Sequence, residues 1–177
     1  MISAEGPGIS IRKWLLPLVS TLVVGLLGYT GLGLWSLHTA DIEDVSLCVT
    51  EDDTHHIPNA VCEYYLFQFR GTPSDIEYLE SRAGLAFFFG VENREMRRRL
   101  MSFFLENGLA INQPSSISGY PPLHAAILMN DAKLVEFLLA RGANPDQKDQ
   151  RHGLTASGFL TLLKRKNPDR DWSEVSN

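Results

Sequence analysis

Cysteine is scarce. Cys48 and Cys62 are the only two among 177 residues, too few for a disulfide-dense secreted miniprotein. A basic surplus is also missing: the net charge is −5, whereas nucleic-acid binders normally cluster positive charge. With 44% hydrophobic and 21% charged residues, the chain is neither a disordered acidic tail nor a collagen-like repeat. It also lacks G-x-x-x-x-G-K-[ST], H-E-x-x-H, G-x-S-x-G and paired C-x-x-C. Nothing therefore nominates a phosphate cradle, a zinc site, a nucleophile elbow or a redox pair. Carboxylates are plentiful, but no glycosidase-type pair stands out. The expectation is a protein that is not an enzyme and needs no cofactor, metal or small-molecule substrate.

Two local absences say more than the averages. From Trp14 to Trp35, 22 residues carry no Asp, Glu, Lys, Arg or His. At 1.5 Å per residue such a helix reaches about 33 Å, against a hydrocarbon core of about 30 Å. Trp14 and Trp35 stand at its ends, where amphipathic rings favour the headgroup level. Between Lys13 and Arg70 there is no Lys or Arg, while Asp41, Glu43, Asp44, Glu51, Asp52 and Asp53 follow the apolar run. The positive-inside rule then keeps residues 1–13 in the cytoplasm and sends the rest across the membrane. A cleaved signal peptide is the competing reading, but its apolar region is shorter and ends in small residues, whereas here His38 stands in the only late candidate site, His38-Thr39-Ala40. An uncleaved anchor at 14–35 is favoured. Gly25, Gly28, Gly31 and Gly33 offer a face for helix packing without a strict GxxxG.

On the translocated side, residues 41–177 hold 14 Lys+Arg against 20 Asp+Glu, a net of −6. Both cysteines lie there. In an oxidising compartment the pair is expected to be bridged, closing a juxtamembrane loop within 36–62, although two unpaired buried thiols fit the same sequence. Asp52, Asp53, His55 and His56 inside that loop have ligand chemistry, but no further Cys or His stands at metal spacing, so a solvated acidic loop is expected.

Self-similarity governs the remainder. Gly119-Tyr120-Pro121-Pro122-Leu123-His124-Ala125-Ala126 is followed by Leu134-Val135-Glu136-Phe137-Leu138-Leu139-Ala140-Arg141-Gly142-Ala143-Asn144. Leu134, Val135, Leu138 and Leu139 recur at i, i+1, i+4 and i+5, predicting one apolar helix stripe, and Gly142 predicts its stop. Pro121-Pro122 opens the first helix, and Ala125 and Ala126 permit close helix approach. Asn130-Asp131 occupies the turn, where Asn tolerates the left-handed conformation. The order and spacing resemble one complete ankyrin repeat, at 117–150. Phe104-Leu105-Glu106-Asn107-Gly108 lies one repeat period upstream of the corresponding run. Gly153-Leu154-Thr155-Ala156 lies one period downstream of Gly119. Ile76–Gly84 resembles a degenerate second helix, with Ser74-Asp75-Ile76-Glu77 as its capping box.

The resemblance implies an all-α ankyrin-repeat solenoid of about four repeats over 60–165, with a polar tail at 166–177 that caps the stack. It departs from the family at Pro121, which replaces the threonine whose hydroxyl would bond the imidazole of His124. That histidine is expected to be structural, together with Pro122, Leu123, Ala125, Ala126, Leu138, Leu139 and Gly142. The family binds proteins through hairpin tips and first helices. By that analogy Ile117, Ser118, Tyr120, Leu128 and Met129 form the binding surface, with Lys148, Gln150 and Arg151 at the next tip. Leu128 and Met129 alternatively pack onto Leu162 and Leu163 of the following repeat. Arg94, Arg97, Arg98 and Arg99 are expected on a solvated helix face, compensated by Glu92 and Glu95.

The architecture looks like a single-pass bacterial inner-membrane protein with periplasmic repeats. Proteins built this way resemble immunity proteins that neutralise secreted antibacterial effectors, such as type VI phospholipases. The alternative is a structural adaptor that organises envelope proteins or partners a periplasmic detoxifying enzyme.

Overall fold

The structure is a computed structural model that describes residues 11–50, 57–173 and 175. It divides into Met1–Ala40 and Asp41–Asn177. The described residues of the first unit form one helix, α1 (Ile11–Thr39), containing Pro17. The Pro17 carbonyl accepts from the hydroxyls of Ser20 and Thr21 at 2.9 and 3.0 Å, which folds those polar groups onto the helix backbone. Pro17–Thr39 has a mean hydropathy of 1.6 and is long and apolar enough to cross a membrane.

The second unit is all-helical among its described residues. It comprises α2 (Ile42–Thr50), α3 (Asn59–Phe69), α4 (Pro73–Glu80), a 3-10 segment (Gly84–Gly90), α5 (Arg94–Glu106), α6 (Pro122–Met129), α7 (Ala132–Ala140) and α8 (Ala156–Lys166). The stretch after α1 is therefore not a plain loop. Ile42, Val45 and Val49 of α2 and Tyr65 and Leu66 of α3 are buried. Cys48 and Cys62 are at disulfide distance, with Cα atoms 5.8 Å apart, and tie α2 to α3. Asp52, Asp53, His55 and His56 lie outside the described residues. A bridge of this loop length contributes about 3 kcal/mol through the unfolded state. Cys48→Ala/Cys62→Ala is thus expected to lower the urea midpoint under oxidising conditions and to abolish its response to dithiothreitol. An unchanged midpoint would mean that helix packing alone holds α2 on α3.

The entry to α4 differs from the expected capping box. Thr72 is the N-cap, accepting from the Asp75 N–H, while the Asp75 carboxylate accepts from the Thr72 N–H. Ser74 lies inside the first turn. Proline decides between the two overlapping patterns, because Pro73 suits the first helical position, where its missing N–H is harmless. Gly71 precedes it at φ 81°, and a Cβ there would stand 2.9 Å from the Phe103 ring.

The middle of the core is aromatic. Phe88 and Phe104 are fully buried and stacked, 4.8 Å between ring centroids. Both α5 and α7 end in the same way. Gly108 (φ 103°) and Gly142 (φ 93°) reverse the chain, and the N–H groups of Leu109 and Ala143 reach back to the carbonyls of Phe104 and Leu138. These Schellman-type closures satisfy carbonyls that a helix end otherwise leaves orphaned. Between α6 and α7, Asn130 takes the left-handed conformation at φ 60°.

Three expectations change. The α7 stripe is narrower than its spacing suggested: Leu134 and Leu138 are buried, Val135 is half-buried, and Leu139 is 45% exposed. Arg97 is not on a solvated face. Its guanidinium reaches Asp131 at 2.7 Å and the Phe89 carbonyl at 3.2 Å, while Asp131 also caps α7 through the Leu134 N–H, so the pair links α5 to the entry of α7. The C-terminal tail is more than a polar cap. Trp172 is buried and donates to the Asn167 carbonyl, Arg170 lies 4.6 Å over its ring, and Asn130 and Arg170 bond to the backbone of Asp171 and Met129. Residues 167–172 thus fold back on the end of α6.

Candidate functional site

Two hairpins built on one plan flank the repeat. In the first, the Ser115 N–H donates to the Tyr120 carbonyl, and the Gly119 N–H donates to the Ser115 carbonyl. In the second, one repeat period on, Asp149 and Leu154 pair in the same sense, as do Gly153 and Asp149. Gly119 and Gly153 supply the positive φ values, 73° and 67°. Each tip is pinned by a buried side-chain oxygen. Ser115 Oγ accepts from the N–H groups of Ile117 and Ser118, both at 3.2 Å. The Asp149 carboxylate accepts from the N–H groups of Arg151, His152 and Leu154 at 2.8, 2.6 and 3.0 Å. Burial of Asp149 works against its ionisation. The N–H bonds from His152, Leu154 and Arg151 and the charge of His152 outweigh that, and its pKa falls below the usual carboxylate value.

Sequence reasoning passes over both Ser115 and Asp149. The readable signal is their shared place in the period, each at the same short distance before a glycine, Gly119 and Gly153.

The hairpins are joined edge to edge by the Gln150 N–H donating to the Gly119 carbonyl at 3.1 Å. This brings Ile117 and Ser118 beside Gln150 and Arg151. Ile117 is 72% exposed, Ser118 is half-buried, and Lys148, Gln150 and Arg151 are exposed.

Tyr120 does not belong with them on the exposed face: it is buried. Its ring is parallel to His152 at 6.0 Å and packs on Phe159 at 5.1 Å, with the Arg151 guanidinium above it. The following hairpin and helix cover it, so its aromatic surface is spent inside the stack. Leu128 and Met129 are 39% and 44% exposed, while Leu163 is buried and Leu162 half-buried. They sit at the other end of α6, about 12 Å along an eight-residue helix from the hairpins.

Pro122 opens α6, and Leu123, His124 and Ala126 are buried with Ala125 half-buried. The imidazole of His124 lies 2.9 Å from the Leu154 carbonyl through Nε2 and packs on Phe159. A carbonyl only accepts, so Nε2 carries the proton and Nδ1 is left as an acceptor. Nδ1 is buried without a partner. Pro121 at the N-cap supplies no side-chain bond, whereas Thr155, at the equivalent place before α8, accepts from the Gly158 N–H. Pro121→Thr is therefore expected to raise stability by about 1 kcal/mol, by capping α6 and donating to Nδ1. Pro121→Ala is expected to gain nothing. Equal midpoints for the two variants in urea titrations would refute this account of the imidazole.

No curated protein and no solved structure matches the chain at a significant level. Residues 118–150 match the family model of the ankyrin repeat. That segment is the α6–α7 pair with its flanking tips, a module that serves interaction between proteins.

Proposed function

We propose that the protein works by binding another protein through the paired hairpin tips, held at a membrane by α1. The observation that carries this reading is the rigid tip pair. Ser115 and Asp149 fix both turns from inside, and one backbone bond joins them, so Ile117, Lys148, Gln150 and Arg151 project from a preorganised edge. Preorganisation lowers the ordering cost of association. Leu128 and Met129 are exposed apolar groups of the kind found in interface cores. Recognition rather than catalysis fits a chain without a nucleophile, base and orienting group in sequence register.

In this reading residues 1–13 are cytoplasmic, 14–35 anchor the chain in a bacterial inner membrane, and a stack of about four repeats over 60–165 works in the periplasm. The partner is a secreted antibacterial effector, with a phospholipase as the leading candidate. The anchor then concentrates the inhibitor where the lipid substrate lies. The immunity role is an analogy of architecture.

The test is capture of the tagged full-length chain from crosslinked envelopes, with Ile117→Ala/Leu128→Ala/Met129→Ala as control. Tyr120 is left intact because its loss would disturb the stack. One stoichiometric secreted hydrolase, lost in the control, is the expected result. A set of resident envelope proteins retained in the control would identify an adaptor instead.

A further inference from the structure

Helices α5 and α7 form the walls of a groove of about 460 Å³. Its floor is apolar: Met101 and Leu134 are buried, and Phe137 is half-buried. Its rim is basic, with Arg94 and Arg98 on α5 and Lys133 on α7, all exposed. Arg97 at the base is already engaged by Asp131. Arg98 faces Glu95 at 3.4 Å in an exposed i,i+3 pair, an arrangement worth little. The side chains of Arg94 and Lys133, on opposite walls, make no hydrogen bond or ion pair among the described residues. Three exposed cations against Glu95 and Glu136 leave the rim of this apolar floor net positive, in a segment whose net charge is −6.

The groove continues along α5 into a second hollow bounded by Ser102, Glu106 and Arg141, and the two share Glu95, Arg98 and Phe137. The 13 residues of α5 extend for about 20 Å, the length of a helix of about a dozen residues.

We propose that this groove seats an acidic amphipathic helix of a partner protein. Its apolar side lies on Met101, Leu134 and Phe137, and its carboxylates face Arg94, Arg98 and Lys133. Helix-in-groove recognition needs an apolar trough with a charged rim, and both are present. A densely charged phosphate headgroup fits less well, because Glu95 and Glu136 stand on the same rim. Carboxylates spaced along a helix meet the three cations and avoid the two anions. The surface shares no residue with the hairpin tips and does not depend on what those tips bind.

The experiment uses the full chain in non-ionic detergent and two fluorescein-labelled helical peptides with the same leucine stripe. One carries Glu on its flanks, the other Lys. Fluorescence anisotropy is expected to show the Glu peptide binding at least about ten-fold more tightly, with that advantage lost in Arg94→Glu/Lys133→Glu. Ile117→Ala/Leu128→Ala/Met129→Ala is expected to bind as the parent does, which separates this site from the hairpin tips. Arg94 and Lys133 are exposed, so unchanged thermal melts verify that the reversal leaves the fold intact. Equal affinity for the two peptides, no affinity for either, or binding that survives the reversal overturns the proposal. Binding only to phosphatidylglycerol vesicles, lost in the same reversal, overturns it in favour of a lipid surface.

Discussion

Phe104→Ala is expected to destabilise the second unit by about 3–5 kcal/mol, a large share of what holds a domain of this size together. Phe104 is fully buried and stacks on Phe88 with ring planes 17° apart, while Phe103 meets it edge-on at 5.1 Å. Truncation removes the transfer energy of the ring, leaves a cavity and abolishes two aromatic contacts. The site has little room to collapse, because Phe88 belongs to the tight 3-10 segment and the Phe104 carbonyl anchors the turn at Gly108. Phe103→Ala provides the internal comparison, since its ring is only half-buried and its loss is expected to cost less. Urea titrations followed by far-UV circular dichroism on the detergent-solubilised chain measure both. A Phe104→Ala loss below about 1 kcal/mol would mean that the Phe88–Phe104 stack does not join the irregular first half of the fold to α5.

What could be read in advance tracks how local its cause is. The α6–α7 pair was legible because its signals are local: Pro122 at a helix start, small alanines, Asn130 at a turn and Gly142 at a stop. That residues 14–35 fall in one long apolar helix needed only length and composition. Tyr120 was misplaced because exposure depends on what arrives later in the chain. His152 and Phe159, from the following hairpin and helix, are what cover it. Leu139 failed for the complementary reason: none of the described residues covers the outer side of α7 there. Arg97 stood in a cluster of arginines, and sequence offers no way to tell which of them meets the N-cap aspartate of a distant helix. Trp172 was hidden by the charged residues around it.

The same distinction separates the two candidate surfaces. The hairpin tips are fixed by short-range bonds from Ser115 and Asp149, so their positions follow the repeat period and are partly visible in the sequence. The α5–α7 groove arises from packing between helices far apart in the chain, and no contiguous pattern marks it. Arg94 and Lys133 come to line one groove only because α5 packs beside α7.

Asp75→Ala is expected to cost about 3–5 kcal/mol at neutral pH, because it breaks a buried ion pair from one side. Arg70 and Asp75 side chains are 12% and 7% exposed and meet at 2.6 Å. The same carboxylate accepts from the N–H groups of Gly71 and Thr72 and from the Thr72 hydroxyl, so its loss removes one shared acceptor from the turn at Gly71, the cap of α4 and the guanidinium. Burial of Asp75 opposes ionisation. The bonds from Arg70 and from the backbone and hydroxyl of Thr72, with the Arg70 charge, outweigh it and bring the pKa below the ordinary 3.8. A depressed folded-state pKa contributes stability that is complete above the unfolded value and disappears as pH falls through the folded one. The gap between parent and Asp75→Ala is accordingly expected to be widest at pH values above about 5 and to narrow progressively below about 4. Asp149 also loses its contribution in acid, but it is common to both proteins and cancels in the difference. Parallel urea titrations across that pH range decide the matter. A gap that stays constant into acid would show that Asp75 acts through shape and hydrogen bonding alone, with no part played by its charge.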